Sequence, residues 1–382
     1  MWLLLPLGIA LGWAFGRRAP EAPSPTPRDH VANDAADDGP TVDAAGPAID
    51  FGSAARAAGV SAFDIRKLLG AAFRERGDVE QAIAIHTQMI ASAAAGPMGV
   101  SASVVDGAKL ELARDYVAAG LLDRAQRTLA QLMHHGTVLE AALELARDVH
   151  EQSKDWSAAL AVVERLQAIQ ARNLHPLMGH YRCELATAAE TAGDTTEAVR
   201  QAQRALEVDP RSVRASLLVG DLAERRADWN TAIHAWSRVP RQDPRFVSEV
   251  LPRLERVCRR AGKWKEFIEF MAETDRDHPD SVSVALVQAR LLDTRGQDAS
   301  AYLARSVARS GRLAGFLAWL EIRSTRHPED TQLAELRGAL RRRVENEPRY
   351  RCAACGLASK LLIWQCPGCK HWGSVVPDGE HA

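Results

Sequence analysis

Neither sign of charge prevails: 48 Lys and Arg stand against 49 Asp and Glu, a net charge of −1. That balance lacks the basic excess a nucleic-acid binder uses, so no nucleic-acid partner is expected. Cysteine is scarce, six in 382 residues, which fits a reducing compartment rather than a disulfide scaffold. No H-E-x-x-H pair, no glycine-rich nucleotide loop and no acid–base set on neighbouring turns occurs, so the chain is read as a non-enzyme with no catalytic residues. The twelve histidines are scattered singly. His86, His134, His135 and His234 read as surface or packing residues.

Four of the six cysteines form one motif: Cys352-Ala353-Ala354-Cys355-Gly356, then Cys366-Pro367-Gly368-Cys369. Two residues between the cysteines of each pair let both sulfurs turn toward one point, and Gly356 and Pro367 suit the tight turns required. Two facing knuckles supply four thiolates, the tetrahedral set that Zn²⁺ takes and Fe also accepts. The thioredoxin-like strand–helix–strand context of a redox pair is missing, which leaves four unligated thiols as the alternative. Cys183 and Cys258 fall on predicted helices of different repeats and read as buried free thiols. Arg341, Arg342, Arg343, Arg349 and Arg351 precede the first cysteine. They read as a solvated helix end or as a contact for phosphate or lipid headgroups.

The first residues have a different character. Trp2 to Gly16 carries no charge. Fifteen helical residues at ~1.5 Å each reach about 22 Å, short of the ~30 Å hydrocarbon core, so such a helix thins the bilayer or is extended at its ends. No basic residue precedes the run and Arg17 and Arg18 follow it, the reverse of a secretory signal. Residues 1–18 are therefore expected to be an uncleaved single-pass anchor with the bulk of the chain cytoplasmic. Residues 19–60 are expected to be a disordered linker: Ala19 to Asp50 holds six prolines and seven acidic residues against one Arg, with almost nothing apolar to bury.

From 61 to 345 the chain reads as all-α. Small residues recur twelve apart across a short turn: Gly70 and Ala82, Ala113 and Ala125, Ala186 and Ala198, Gly220 and Ala232. The second small residue falls at Ala82, Ala125, Ala159, Ala198, Ala232 and Ala301, with Phe267 in the same slot; the steps are 43, 34, 39, 34, 35 and 34. A helix-turn-helix unit with a period near 34 resembles the tetratricopeptide repeat. Small residues let paired helices approach, Leu69, Leu112 and Leu185 fill the space between pairs, and Pro210, Pro244 and Pro279 stop second helices. About seven hairpins are expected, stacked into a superhelix with a concave face for protein partners. The longer steps predict extra residues in the connections Ser92–Val104 and Arg172–Leu177. Trp156, Trp229 and Trp264, each near the start of a second helix, read as repeat packing. Residues 346–377 would form the small metal-binding module.

An N-terminal apolar helix followed by Gly-Arg-Arg, these repeats and a C-terminal rubredoxin-like knuckle together resemble the lipopolysaccharide assembly protein B (LapB/YciM) family. The stretches FRERGDVEQAIAIH, ARDYVAAGLLDRA and PRYRC-x2-CG…W-x-CP-x-C, with Trp372 beyond, add weight. The resemblance implies an adaptor at the bacterial inner membrane that works with the AAA+ protease FtsH to promote degradation of the deacetylase LpxC, so regulating lipid A synthesis. It also implies links to lipopolysaccharide synthesis and export proteins. Cys352, Cys355, Cys366 and Cys369 match the family's four metal ligands, for one Zn or Fe ion. In the family a repeat follows the membrane helix almost directly; here the linker stands in that place, and the first hairpin is read as lost or degenerate. The alternative is a rubredoxin-type electron-transfer protein with a helical docking scaffold. The choice of metal, the partner-binding residues and self-association into a homodimer stay open.

Overall fold

The computed structural model describes residues 61–95, 101–134, 136–326 and 330–378. The expected anchor and linker lie outside them, as does His135. Among the described residues no helix is long and apolar enough to cross a membrane.

Seventeen α-helices precede a small sheet among those residues. They run in antiparallel pairs: α1 and α2 (Ala62–Glu75, Val79–Ala95), α3 and α4 (Ala102–Ala118, Leu122–Leu132), α5 and α6 (Leu139–Ser153, Trp156–Ile169), α7 and α8 (His175–Thr191, Thr195–Val208). The fifth pair is α9 with α10 (Val213–Arg225, Trp229–Ser237), continued by the short α11 (Val239–Gln242) and a 3₁₀ turn at Pro244–Phe246. Then come α12 and α13 (Val247–Arg260, Trp264–Asp277), α14 and α15 (Val282–Thr294, Ala299–Ser310), and α16 and α17 (Leu313–Arg326, Thr331–Asn346). Eight pairs stand among the described residues, one more than the seven or so expected from the repeat spacing. The architecture is thus a tetratricopeptide-type stack followed by a strand module.

Local chemistry explains why each pair turns where it does. A left-handed residue stands in seven of the turns: Gly77, Gly120, Lys154, Gly193, Ala227, Gly262 and Gly296. The next helix is often opened by an aspartate whose carboxylate accepts a backbone N–H three residues on: Asp155 from Ala158, Asp194 from Glu197, Asp228 from Thr231. Such a cap is worth about 1 kcal/mol. Within a pair, the small residue of the first helix lies under a side chain of the second. A Cβ on Gly70 would stand 2.5 Å from His86 Cε1, and one on Gly220 would stand 2.2 Å from Trp236 Nε1.

His86 is a packing residue, fully buried, with Nδ1 2.5 Å from Asp115 Oδ2. Asp115 also accepts from Arg74 at 2.6 Å, tying the first hairpin to the second. Acid–arginine pairs link later first helices likewise, as Arg214 to Glu184 at 2.7 Å and Arg253 to Asp221 at 3.0 Å. His134 and His234 are exposed, and Cys183 and Cys258 are buried free thiols.

The extra residues of the long steps sit differently from the expectation. They are partly helical: α2, α3 and α7 each have 17 residues, against 13 to 14 in α8, α9 and α12. Continuing a helix by a turn satisfies backbone groups that a longer loop would leave to water.

The C-terminal sheet has three short strands, β1 (Tyr350–Cys352), β2 (Ala358–Ser359) and β3 (Val375–Pro377), in the order β2-β1-β3 with both pairings antiparallel.

Candidate metal centre and its docking face

Each Cys-x-x-Cys pair closes a tight knuckle. The N–H of Gly356 donates to the Cys352 carbonyl at 2.9 Å, and the N–H of Lys370 donates to the Cys366 carbonyl at 2.8 Å. Both closing residues are left-handed, Gly356 at φ 77° and Lys370 at φ 61°. The knuckles are anchored at their starts by Cys352 N–H to the Leu357 carbonyl and Cys366 N–H to the His371 carbonyl. An antiparallel bridge between Gln365 and Trp372 closes the second loop behind its cysteines.

The two knuckles face each other. The sulfurs of Cys352, Cys355, Cys366 and Cys369 all lie within 4.8 Å of one another. Cys352 Sγ is 3.7 Å from Cys369 Sγ, and Cys355 Sγ is 3.6 Å from Cys366 Sγ. Those separations are far from a disulfide bond of ~2.05 Å. They approach the edge of about 3.8 Å in a tetrahedron of sulfurs ~2.3 Å from a central ion. The donor set therefore fits one Zn²⁺ or Fe ion, and four thiolates suit either. Electrostatics point the same way. The Ser374 hydroxyl beside Cys352 holds that thiol down to about 6. For Cys355, the Leu357 N–H acts downward, but burial and the three neighbouring sulfurs outweigh it and push that thiol up to about 12. Four sulfurs this close are not all ionised together without a cation between them.

The module has little core of its own, Tyr350, Cys352, Cys366 and Val375. Its two tryptophans, Trp364 and Trp372, are half-buried against the repeats instead. Trp372 stands edge-on to Trp156 and to Tyr181, with ring centroids 5.8 Å apart in both pairs, and packs at 5.2 Å against His180. Trp364 stacks on Phe246 at 5.8 Å and 14°. The Arg214 guanidinium reaches both rings, 5.8 Å from the centroid of Trp364 and 5.7 Å from that of Trp372. Val376 joins the buried cluster that holds Phe246, Val250 and Leu254.

Polar contacts fix the register of this docking. Glu151 accepts from Gln365 Nε2 at 2.8 Å, from Trp372 Nε1 at 3.3 Å and from the Tyr181 hydroxyl. That last bond and burial raise the tyrosine pKa, burial being the larger cause. The Tyr350 hydroxyl donates to Glu249 Oε1 at 2.6 Å. Burial, then the Arg214 charge, press the His180 pKa down to about 3, so this imidazole is neutral.

Two outcomes differ from what the sequence suggests. The module, joined directly to α17, borders the last hairpins, yet its aromatic loop also reaches back to residues of the third to sixth hairpins, Glu151 through Glu249, because those carry the matching rings and carboxylates. Trp156, Trp229 and Trp264 do pack in the repeat cores, but Trp156 also forms part of the docking face. The sequence offers one signal for this face. Trp364 and Trp372 crowd into a module too small to bury them in a chain that is only 5% aromatic.

Known proteins resemble this chain at several levels. Residues 350–377 match a family model described as the rubredoxin metal binding domain, and residues 183–244 match the tetratricopeptide repeat. Lipopolysaccharide assembly protein B of Escherichia coli (strain K12) is 27% identical over 388 residues, covering 99% of this chain and 97% of that protein. Its namesake from Haemophilus influenzae is 26% identical over 398 residues, with the same two coverages. A solved tetratricopeptide repeat protein from Parabacteroides merdae shares 13% identity, covering 65% of this chain and 93% of that one, at a TM-score of 0.32.

Proposed function

We propose that this chain, which resembles the lipopolysaccharide assembly protein B family over its whole length, is a membrane-tethered adaptor in lipopolysaccharide assembly. In this reading residues 1–18 hold it at the inner membrane and the helical stack faces the cytoplasm. There it presents LpxC to the membrane protease FtsH and so sets the rate of lipid A synthesis. Lipopolysaccharide synthesis and export proteins are the further partners.

The observation that carries the reading is the seating of the four-thiolate module on the repeats through Glu151, Trp156, His180, Tyr181 and Arg214. One ion, held by Cys352, Cys355, Cys366 and Cys369, would cross-link the two knuckles. The chain's own residues do the rest. The knuckles present Gln365 and Trp372, and Glu151 receives them. A repeat scaffold braced internally in this way offers a rigid surface to partners, which suits binding rather than turnover of a substrate.

The decay of LpxC after translation is blocked tests the proposal in the source bacterium. Cells with the native chain are expected to clear LpxC rapidly. Cells without it, with Cys366→Ser, or with residues 1–18 deleted are expected to retain LpxC. Equal decay with and without the chain would refute the protease branch.

A further inference from the structure

Where the docked module meets the last hairpins, a cleft of about 430 Å³ opens between the first turns of α12, α14 and α16, the end of α17 and the strands β1 and β3. That volume lies within the ~300–1,000 Å³ typical of ligand sites. Leu286, Leu313 and Val344 give it an apolar wall. Three cations line it, Arg312, Arg349 and Lys360. None of the three is in an ion pair among the described residues. Arg349 instead lies over the Tyr350 ring, 5.7 Å from its centroid.

Carboxylates line the cleft too, but most are already engaged. Glu249 takes the Tyr350 hydroxyl and Arg253, Glu347 lies 3.7 Å from Arg343, and Asp378 lies 3.0 Å from Arg351. Their charge is met by arginines outside the cleft, whereas the charge of Arg312, Arg349 and Lys360 is not. The helix starts add to this. α14 begins at Val282 and α16 at Leu313, and both first turns face the cleft with the positive end of their dipoles.

We propose that this cleft is a docking site for an acidic peptide segment of a partner protein, its carboxylates meeting Arg312, Arg349 and Lys360 and its neighbouring leucine-sized side chains lying on Leu286, Leu313 and Val344. A lipid phosphate suits it less. Glu345 on the same wall opposes a dianion, while an extended peptide can place an N–H there. The inference goes beyond the adaptor reading, since it needs only the cleft and not a particular partner or protease.

The test uses the full-length protein and a fluorescent hexapeptide library with two fixed leucines and aspartate, asparagine or lysine at the other positions. Aspartate peptides are expected to be selected, with affinity that falls as salt rises. Arg312→Glu and Lys360→Glu should each weaken the best peptide about tenfold, while Arg204→Glu on the exposed side of α8 should not. Circular dichroism and metal content confirm that the variants fold. Selection of asparagine or lysine peptides, affinity unaltered by Arg312→Glu and Lys360→Glu, or stronger binding to phosphatidylglycerol vesicles than to any peptide would overturn the proposal.

Discussion

Gln365 in the cysteine module and Glu151 at the end of α5 are 214 residues apart in sequence, yet the amide nitrogen donates to the carboxylate at 2.8 Å. The same carboxylate takes the Trp372 indole and the Tyr181 hydroxyl, so one side chain gathers three donors across the junction. Removing it leaves buried donors without a partner, which costs more than the lost bonds alone. Glu151→Ala should loosen the docked module by about 3 kcal/mol, while Glu151→Gln should cost less because it keeps an acceptor. Amide exchange over residues 362–373 measures the loosening. Wild-type protection in the alanine variant would show that the aromatic contacts alone hold the module.

His180 makes the junction sensitive to acid. A histidine in the unfolded chain titrates near 6.5, and the buried His180 near 3. As pH falls below about 6.5, the unfolded chain takes up a proton that the folded chain refuses, so stability falls. The loss from this group should reach about 2 kcal/mol by pH 5, growing further at lower pH and levelling off only where His180 itself titrates. Thermal melts of wild type and His180→Leu between pH 7.5 and 5 would reveal it as a difference in slope. Parallel curves would mean that His180 is solvated.

Much of the repeat stack is legible in the chain because its cause is local. The small residues at Gly70, Ala113, Ala186 and Gly220 are all buried between paired helices, and at Gly70 and Gly220 the side chain sixteen positions on lies directly over them. Turn glycines and capping aspartates are similarly short-range signals. The cysteine geometry is legible from spacing. The docking face is not, since Glu151, His180, Arg214 and Phe246 are spread over three different hairpins and share no periodicity that points to a common partner. Only folding brings them under Trp364 and Trp372. His86 shows the limit in miniature. It reads as an ordinary histidine, and its burial against Asp115 depends on a residue in the next hairpin.

Gly220 and Ala227 are both positions where a Cβ is unfavourable, for different reasons. At Gly220 there is no room for a Cβ beneath Trp236, so Gly220→Ala should destabilise by about 1–3 kcal/mol through displaced packing. At Ala227 the backbone is left-handed, φ 57°, where a Cβ is strained. Ala227→Gly should therefore stabilise by about 0.5–1 kcal/mol, the relieved strain being offset in part by the freedom glycine gains when unfolded. Denaturant midpoints at unchanged slope would register both. A stable Gly220→Ala protein would mean that the Trp236 ring has space to move.

The metal prediction follows from how little else holds the module. Its own core is Tyr350, Val375 and two of the cysteines, and structural zinc contributes on the order of 10 kcal/mol to small folds of this kind. Cys366→Ser, or chelation of the wild type, should therefore release the ion and unfold residues 350–377. Trp364 and Trp372 would then leave their stacks and emit further to the red. The helical circular dichroism should persist, because the hairpins bury their own clusters between neighbours. Colour separates the two metals: bound iron absorbs in the visible and bleaches on reduction, whereas a zinc form is colourless and gives no support to electron transfer. Tryptophan emission and protease resistance both unchanged after complete metal removal would show that docking onto Glu151, Tyr181 and Phe246 suffices to fold the module.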